Sequence, residues 1–296
     1  MGLKSTAEIL QIREKNAGYQ TCISIGANHI VGLRPDGTVL VTGNNEYGQC
    51  NVQDWRDITA VSAIGWHTVG LKKDGTVVAA GRNDMGQCNI HNWKDIVAVS
   101  TDGTHTVGLK SDGMVITVGK NEYNQCDTEA WRDIIAVSTS TYQTAGLKAD
   151  GTVVVTGQTP DSKCDTSNWR DIIAVSCGGG HIVGLKADGT VIAVGNNNNG
   201  QCNLQDWRDI TAVCAESSGT TGLKADGTVI SVYNTFFGER NFSEFQDIVA
   251  VFSCLSATIG LKADGTIMTW KRYLPDWQDI GPISEEEKER RILQKQ

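Results

Sequence analysis

Basic charge, aromatic bulk and proline are all scarce in this chain. Of its 296 residues, 26 are Lys or Arg against 34 Asp or Glu, a net charge of −8; aromatics make up 6% and there are four prolines. Nucleic-acid binding needs clustered Lys and Arg to neutralise phosphates, so the acidic balance argues against such a partner and against an anionic membrane surface. No apolar run approaches bilayer-spanning length, and the first residues lack the apolar core of a secretion signal. Nine cysteines, an odd number with no C-x-x-C pair, fit neither a closed disulfide framework nor a zinc ribbon. A reducing, cytoplasmic compartment is the expectation. Met1-Gly2 with Thr6 matches a loose N-myristoylation pattern, but no polybasic cluster follows that would make one acyl chain hold. A free N-terminus leading into a helix is the simpler reading.

The length admits two ordinary domains or one large all-β domain. What decides is a repeat. Gly-Leu-x-x-Asp-Gly begins at Gly32, Gly70, Gly108, Gly146, Gly184, Gly222 and Gly260, always 38 residues apart. Cys50, Cys88, Cys126, Cys164 and Cys202 keep the same interval, as do Trp55, Trp93, Trp131, Trp169 and Trp207, with Phe245 in the sixth slot. An Asp-Ile pair follows each of these aromatics. The seventh copy is short, since Trp277 arrives six residues early.

A fixed period of this size means a solenoid, propeller or array. Runs such as Ile96–Ser100, Thr68–Lys72 and Thr76–Ala80 are short and β-branched, which predicts strands. Asp-Gly between two runs predicts a tight hairpin of type I′, with positive φ at both central residues. A fourth, shorter strand is expected around Gln49–Asn51. Four antiparallel strands per unit, seven times over, predict an all-β, seven-bladed β-propeller of 38-residue repeats with short N- and C-terminal helices. A β-solenoid is the alternative, but its parallel strands would need no hairpin in each unit.

The string from His67 through Gly81, followed by Asn83 and Gly86-Gln87, resembles the regulator-of-chromosome-condensation repeat. The resemblance extends over about residues 19–280 and implies a seven-bladed propeller. The short unit and the Trp-x-Asp-Ile connector resemble the bacterial branch of that family. The wider group includes a secreted β-lactamase inhibitor, and its founder exchanges guanine nucleotide on a small GTPase and binds chromatin. No inserted wedge or basic tail appears here to carry those activities over.

The expected organisation is an N-terminal helical segment at 1–18, the propeller at 19–280 and a C-terminal helical tail at 281–296. Ser5 and Glu8 form a capping box, and Ser284 opens the tail helix. Thr21–Ser24 aligns with Thr59–Ser62, so the chain enters the ring inside a repeat, and the Trp277–Ile280 stretch should meet that entry and close the ring. Positions constant in every unit read as structural. Asp-Gly is turn chemistry, the Trp series wedges between blades, and the periodic cysteines are small buried hydrophobes. His29, His67, His105 and His181 share one slot with Gln143, Gly219 and Ala257, a pattern that suits a scaffold better than a metal ring.

Variation among the copies points to a surface. The slot before the His position reads Asn28, Trp66, Thr104, Tyr142, Gly180, Ser218, Ser256. The loop after the third strand carries Glu46 and Tyr47, Asp84 and Met85, Glu122 and Tyr123, Asp161, Asn197–Asn199, and Phe236 with Phe237. In an alternating sheet both sets fall on one face. Trp66, Tyr142, Tyr47, Met85, Tyr123, Phe236 and Phe237 among Glu46, Asp84, Glu122 and Asp161 suit a protein partner. The blade-six aromatics could instead cover the N-terminal helix. The expected function is a monomeric, non-enzymatic interaction scaffold with no cofactor, metal or catalytic residue. An exchange-factor-like GTPase regulator, or a glycan- or small-ligand-binding propeller, is the alternative.

Overall fold

The computed structural model describes residues 4–26, 28–157, 164–233, 241–254, 257–270, 277 and 279–282. Seven antiparallel sheets follow one another, each with its three strands in chain order, from Ile23–Ile25, His29–Leu33 and Val39–Gly43 to Ile248–Cys254, Ala257–Lys262 and Ile267–Trp270. The first strand of each blade touches the first strands of both neighbours, and Ile23–Ile25 touches Ile248–Cys254. The ring is therefore closed, with the first strands around the axis. Closure uses both chain ends, as the repeat register predicts. Trp277 and Ile280 pack on Gly32 of blade one, and the Gly281 N–H donates to the Leu33 carbonyl at 2.9 Å.

Two sequence expectations need correction. No fourth strand forms at Gln49–Asn51 or its counterparts among the described residues; the segment is turns. Asn45 explains this, because its side chain accepts from the Cys50 N–H at 2.7 Å and donates to Asn51 at 3.0 Å, so the loop binds its own backbone instead of pairing as a strand. The hairpins are not type I′ either. Gly75 has φ +77°, but Asp74 does not share the left-handed region. Instead the Asp74 carboxylate accepts from Thr76 N–H at 2.9 Å and Oγ1 at 2.6 Å, while Gly75 N–H donates to Lys72 O at 3.0 Å. This is a three-residue loop closed by a glycine. The positive-φ aspartates lie in the connectors instead, as at Asp57 (φ 59°) and Asp95 (φ 61°).

Those connectors stitch the Asp-Gly rim. Asp57 O accepts from Lys73 N–H at 2.9 Å, and Ile58 N–H donates back to Gly37 O at 3.1 Å. On the opposite rim, His67 Nε2 bonds Thr106 Oγ1 of the next blade at 2.9 Å. Thr106 gives its own proton to Gln87 O at 2.8 Å, so His67 carries hydrogen on Nε2. His29, His105 and His181 repeat the bridge to Thr68, Thr144 and Thr220, as expected of a structural position. Around the axis, Ser24, Ser62, Ser138 and Ser176 each accept a backbone N–H from the next blade at 2.7–3.0 Å.

The core lies between blades. Trp93 packs with Ala60, Val69, Leu71 and Val77 of blade two and with Ile96 of blade three. Its ring covers Gly108, where an added methyl would stand 2.6 Å from Cζ3. The glycine is therefore required by the close approach of the ring. The N-terminal helix Thr6–Asn16 has the expected capping box and lies on the Asp-Gly rim over blades five and six. Its Ile9 is fully buried against Gly189, and Arg13 donates to the carbonyls of Thr211 and Ile173.

Gly108→Val overpacks this junction and should lower stability by about 1–3 kcal/mol. Urea unfolding should show a reduced midpoint, and Trp93→Leu in the same chain should return part of the loss. An undiminished midpoint would mean that the ring does not bear on Gly108.

Candidate functional site

The loop rim is built from two sequence-variable sets, and the structure interleaves them across blade junctions. Tyr47 of blade one meets Trp66 of blade two edge to face, with centroids 5.3 Å apart. Tyr123 of blade three meets Tyr142 of blade four in the same way at 5.0 Å. A cation from the later or the same loop covers each couple: Arg82 lies 5.6 Å from the Tyr47 centroid and Lys120 lies 5.7 Å from that of Tyr123. Met85 is 45% exposed and Tyr47 44%, whereas Trp66, Tyr123 and Tyr142 are half-buried.

The acidic residues of this rim behave less uniformly than composition suggests. Asp84 pairs with Arg82, and that hydrogen bond holds its carboxyl below the usual range. Glu122 pairs with Lys120 at 2.8 Å and raises the lysine pKa. Both acids are thus neutralised within their own loops. In blade one Asn44 replaces the cation, and Glu46 stands exposed without that counterpart. Phe236, Phe237 and Asp161 lie outside the described residues.

A second feature went unread in the sequence. On the axis, at the loop-rim end, a cavity of about 300 Å³ is enclosed by the ends of the first strands and the turns after them. Six of its lining residues, Ile64, Asp102, Ser140, Gly178, Glu216 and Cys254, occupy one repeat slot, three residues before the His position. Variation in that slot was the available signal, since the serine two residues earlier is uniform in five blades. Asp102 is 1% and Glu216 3% exposed. Glu216 Oε1 accepts from Ser253 Oγ at 2.6 Å and Thr221 Oγ1 at 2.9 Å.

Asp102 accepts the backbone N–H groups of Thr104 and His105 at 2.7 and 2.8 Å. Its Oδ1 also stands 2.9 Å from His105 Nδ1, a contact made off the axis of a ring N–H. Burial pushes the Asp102 carboxyl up, but His105 and the two backbone donors outweigh it and hold the pKa low. Asp102, His105 and Thr144 thus form a carboxylate–imidazole–hydroxyl chain. Thr144 is fully buried and spends its proton on Gln125 O at 2.7 Å, and the imidazole bridge recurs in blades whose carboxylate slot holds Gly26, Ile64 or Gly178. The chain is a rim stitch with an added carboxylate.

No group of three His, Cys, Asp or Glu suited to a metal occurs among the described residues. Cys50, Cys88, Cys126 and Cys202 each donate to the carbonyl six residues earlier at 3.1–3.4 Å. Burial pushes Cys88, Cys126 and Cys202 up to about 11, leaving no thiolate at neutral pH. No helix among the described residues is long and apolar enough to cross a membrane.

A family model for the Regulator of chromosome condensation (RCC1) repeat matches residues 21–49, 58–87 and 172–201. No curated protein matches the chain by sequence. Among solved structures it is similar to the CRINKLY WD40 ectodomain of the receptor kinase ACR4 from Arabidopsis thaliana (15% identity, 89% of this chain and 98% of that one, TM-score 0.71). The ectodomain of the receptor kinase CR4 from Physcomitrella patens is also similar (16%, 86% and 74%, TM-score 0.69). Prp20p from Saccharomyces cerevisiae, described with binding properties toward Gsp1p and histones, is a third (16%, 92% and 85%, TM-score 0.60). At these identities the likeness is one of fold.

The histidine bridges make stability depend on pH. Burial lowers the pKa of His67 and of His181 from 6.5 to about 4. Below pH 6.5 the unfolded chain takes up protons that the folded rings refuse until about pH 4. Stability is therefore full above 6.5 and falls through that window, by about 3 kcal/mol for each ring. The urea midpoint should drop between pH 7 and 4.5, and His67→Gln with His181→Gln should flatten the slope. An equal slope in the variant would place the titration elsewhere.

Proposed function

Because this chain belongs to the regulator-of-chromosome-condensation repeat family and folds as a closed seven-bladed propeller, we propose that it is a non-enzymatic scaffold docking a protein partner on its loop rim. One observation carries this reading: the two edge-to-face couples, Tyr47 with Trp66 and Tyr123 with Tyr142, stand partly exposed at blade junctions on a single rim. Anchors already locked by their neighbours lose little freedom on binding, which favours association. Met85 adds exposed apolar surface beside them, while Glu46, Asp84 and Glu122 form a polar fringe.

The opposite rim offers less to a partner. It is uniform in sequence, stitched blade to blade, and covered in part by the N-terminal helix. The proposed plan is a monomer with its propeller at 19–280 and flanking segments at 1–18 and 281–296; the expected C-terminal helix from Ser284 lies outside the described residues. A protein partner also accords with Prp20p, described with binding properties toward Gsp1p and histones.

Capture from lysate by the immobilised chain tests the reading. Tyr47→Ala with Trp66→Ala should weaken retention of the captured protein about tenfold or more. Lys94→Glu, on the other rim, should leave it unchanged. Equal loss from both variants would remove the rim assignment, and release by free sugars would favour the glycan alternative.

A further inference from the structure

The N-terminal helix shows what a groove on the Asp-Gly rim accepts. Ile9, fully buried, lies against Gly189 of the blade-five hairpin. The Lys4 N–H donates to the Asp209 carboxylate at 2.6 Å, and Arg13 donates to the Thr211 carbonyl at 2.8 Å, both at the opening of blade six. Under this cover Thr211 is 4% exposed and Asp209 is half-buried.

A groove of the same make stands open elsewhere on that rim. At the junction of blades one and two, a hollow of about 350 Å³ is lined by Leu33, Arg34 and Pro35 of one hairpin and by Ile58 and Thr59 of the next first strand. Four repeats later the same slots hold Leu185, Lys186, Ala187, Ile210 and Thr211, in the hairpin and strand that the helix covers. In blades one and two Arg34, Asp57 and Thr59 are all exposed. Other junctions leave this surface open too, as at Val97, which is 53% exposed. What sets the first junction apart is the chain itself, because Pro282 lines the hollow. Residues 283–296 follow, outside the described part of the chain, and open with Ile283 and then Glu285, Glu286 and Glu287.

We propose that the C-terminal segment 283–296 docks back on the ring at this hollow, with Ile283 filling it as Ile9 fills its counterpart. One residue advances the chain only about 3.8 Å, so Ile283 reaches the hollow from Pro282 without a linker. Leu33, Pro35 and Ile58 offer an aliphatic side chain an apolar wall away from water. The acidic run that follows meets Arg34. The acid nearest Arg34 in sequence, Asp36, is turned onto Thr38, accepting from its N–H at 2.9 Å and its Oγ1 at 2.6 Å, so the attraction prevails. Docking there pins the closing segment Trp277–Ile280 from outside, as the N-terminal helix pins blades five and six. The inference is independent of partner binding on the loop rim.

The test is digestion of the folded full chain by a glutamate-specific protease, with cleavage after Glu285, Glu286 and Glu287 followed by mass spectrometry. Such cleavage reads the fraction of time a segment is free. Slow cleavage is expected in the parent chain. Ile283→Ser, which removes the anchor, and Thr59→Trp, which fills the hollow, should each speed it about tenfold or more. Both positions lie outside the core, so the ring should stay folded. Val97→Trp, the same repeat slot at the next junction, should leave the rate unchanged. Equal rates in the parent and Thr59→Trp, or equal acceleration by Val97→Trp, would overturn the proposal. Protection that grows with chain concentration would seat the segment on a second copy and overturn it as well.

Discussion

An indole lying on a glycine, once at nearly every blade junction, is the contact on which the rest of the molecule depends. A three-stranded sheet has two faces and cannot bury either alone. Trp93 on Gly108, Trp131 on Gly146 and Trp169 on Gly184 bring the next sheet close enough to cover both. The spacing works only if every junction has it, including the last. Trp277 on Gly32 supplies the seventh junction from the far end of the chain, which turns a row of sheets into a ring without exposed first or last faces.

With the sheets at that distance, polar stitches follow on both rims and along the axis. The left-handed aspartates join connector to hairpin on one side, the His–Thr–Gln bridges join blades on the other, and serine hydroxyls tie the innermost strands. Each stitch satisfies backbone or side-chain groups that close packing would otherwise bury unpaired. So little is left for the loops to do structurally that they are free to differ. This is why the aromatic couples and the acidic slot sit on a rim whose supporting residues are repeated almost letter for letter.

The same economy explains why the histidine beside the carboxylate of blade three keeps its place in the rim stitch. The imidazole and hydroxyl are committed to the stitch in every blade that has them. Asp102 joins a pre-existing bridge and accepts from the backbone of Thr104 and His105, and Glu216, across the ring, accepts from hydroxyls of blades six and seven.

The sequence by itself determined the blade count, the hairpins, the wedge position of the Trp series, the closure by Trp277 and the segregation of varying loops to one rim. Each follows from spacing and residue type, which are local or periodic. It misread the hairpin class and the fourth strand, because whether Asp74 or Asn45 spends its side chain on its own loop depends on atomic geometry that propensity does not encode. Tertiary structure alone decided which loops touch: that Tyr47 meets Trp66 across a junction, that Arg82 and Lys120 neutralise Asp84 and Glu122, and that Asp102, Ser140 and Glu216 share one cavity. Those residues lie up to three blades apart in the chain, and only closure of the ring brings them around a common axis.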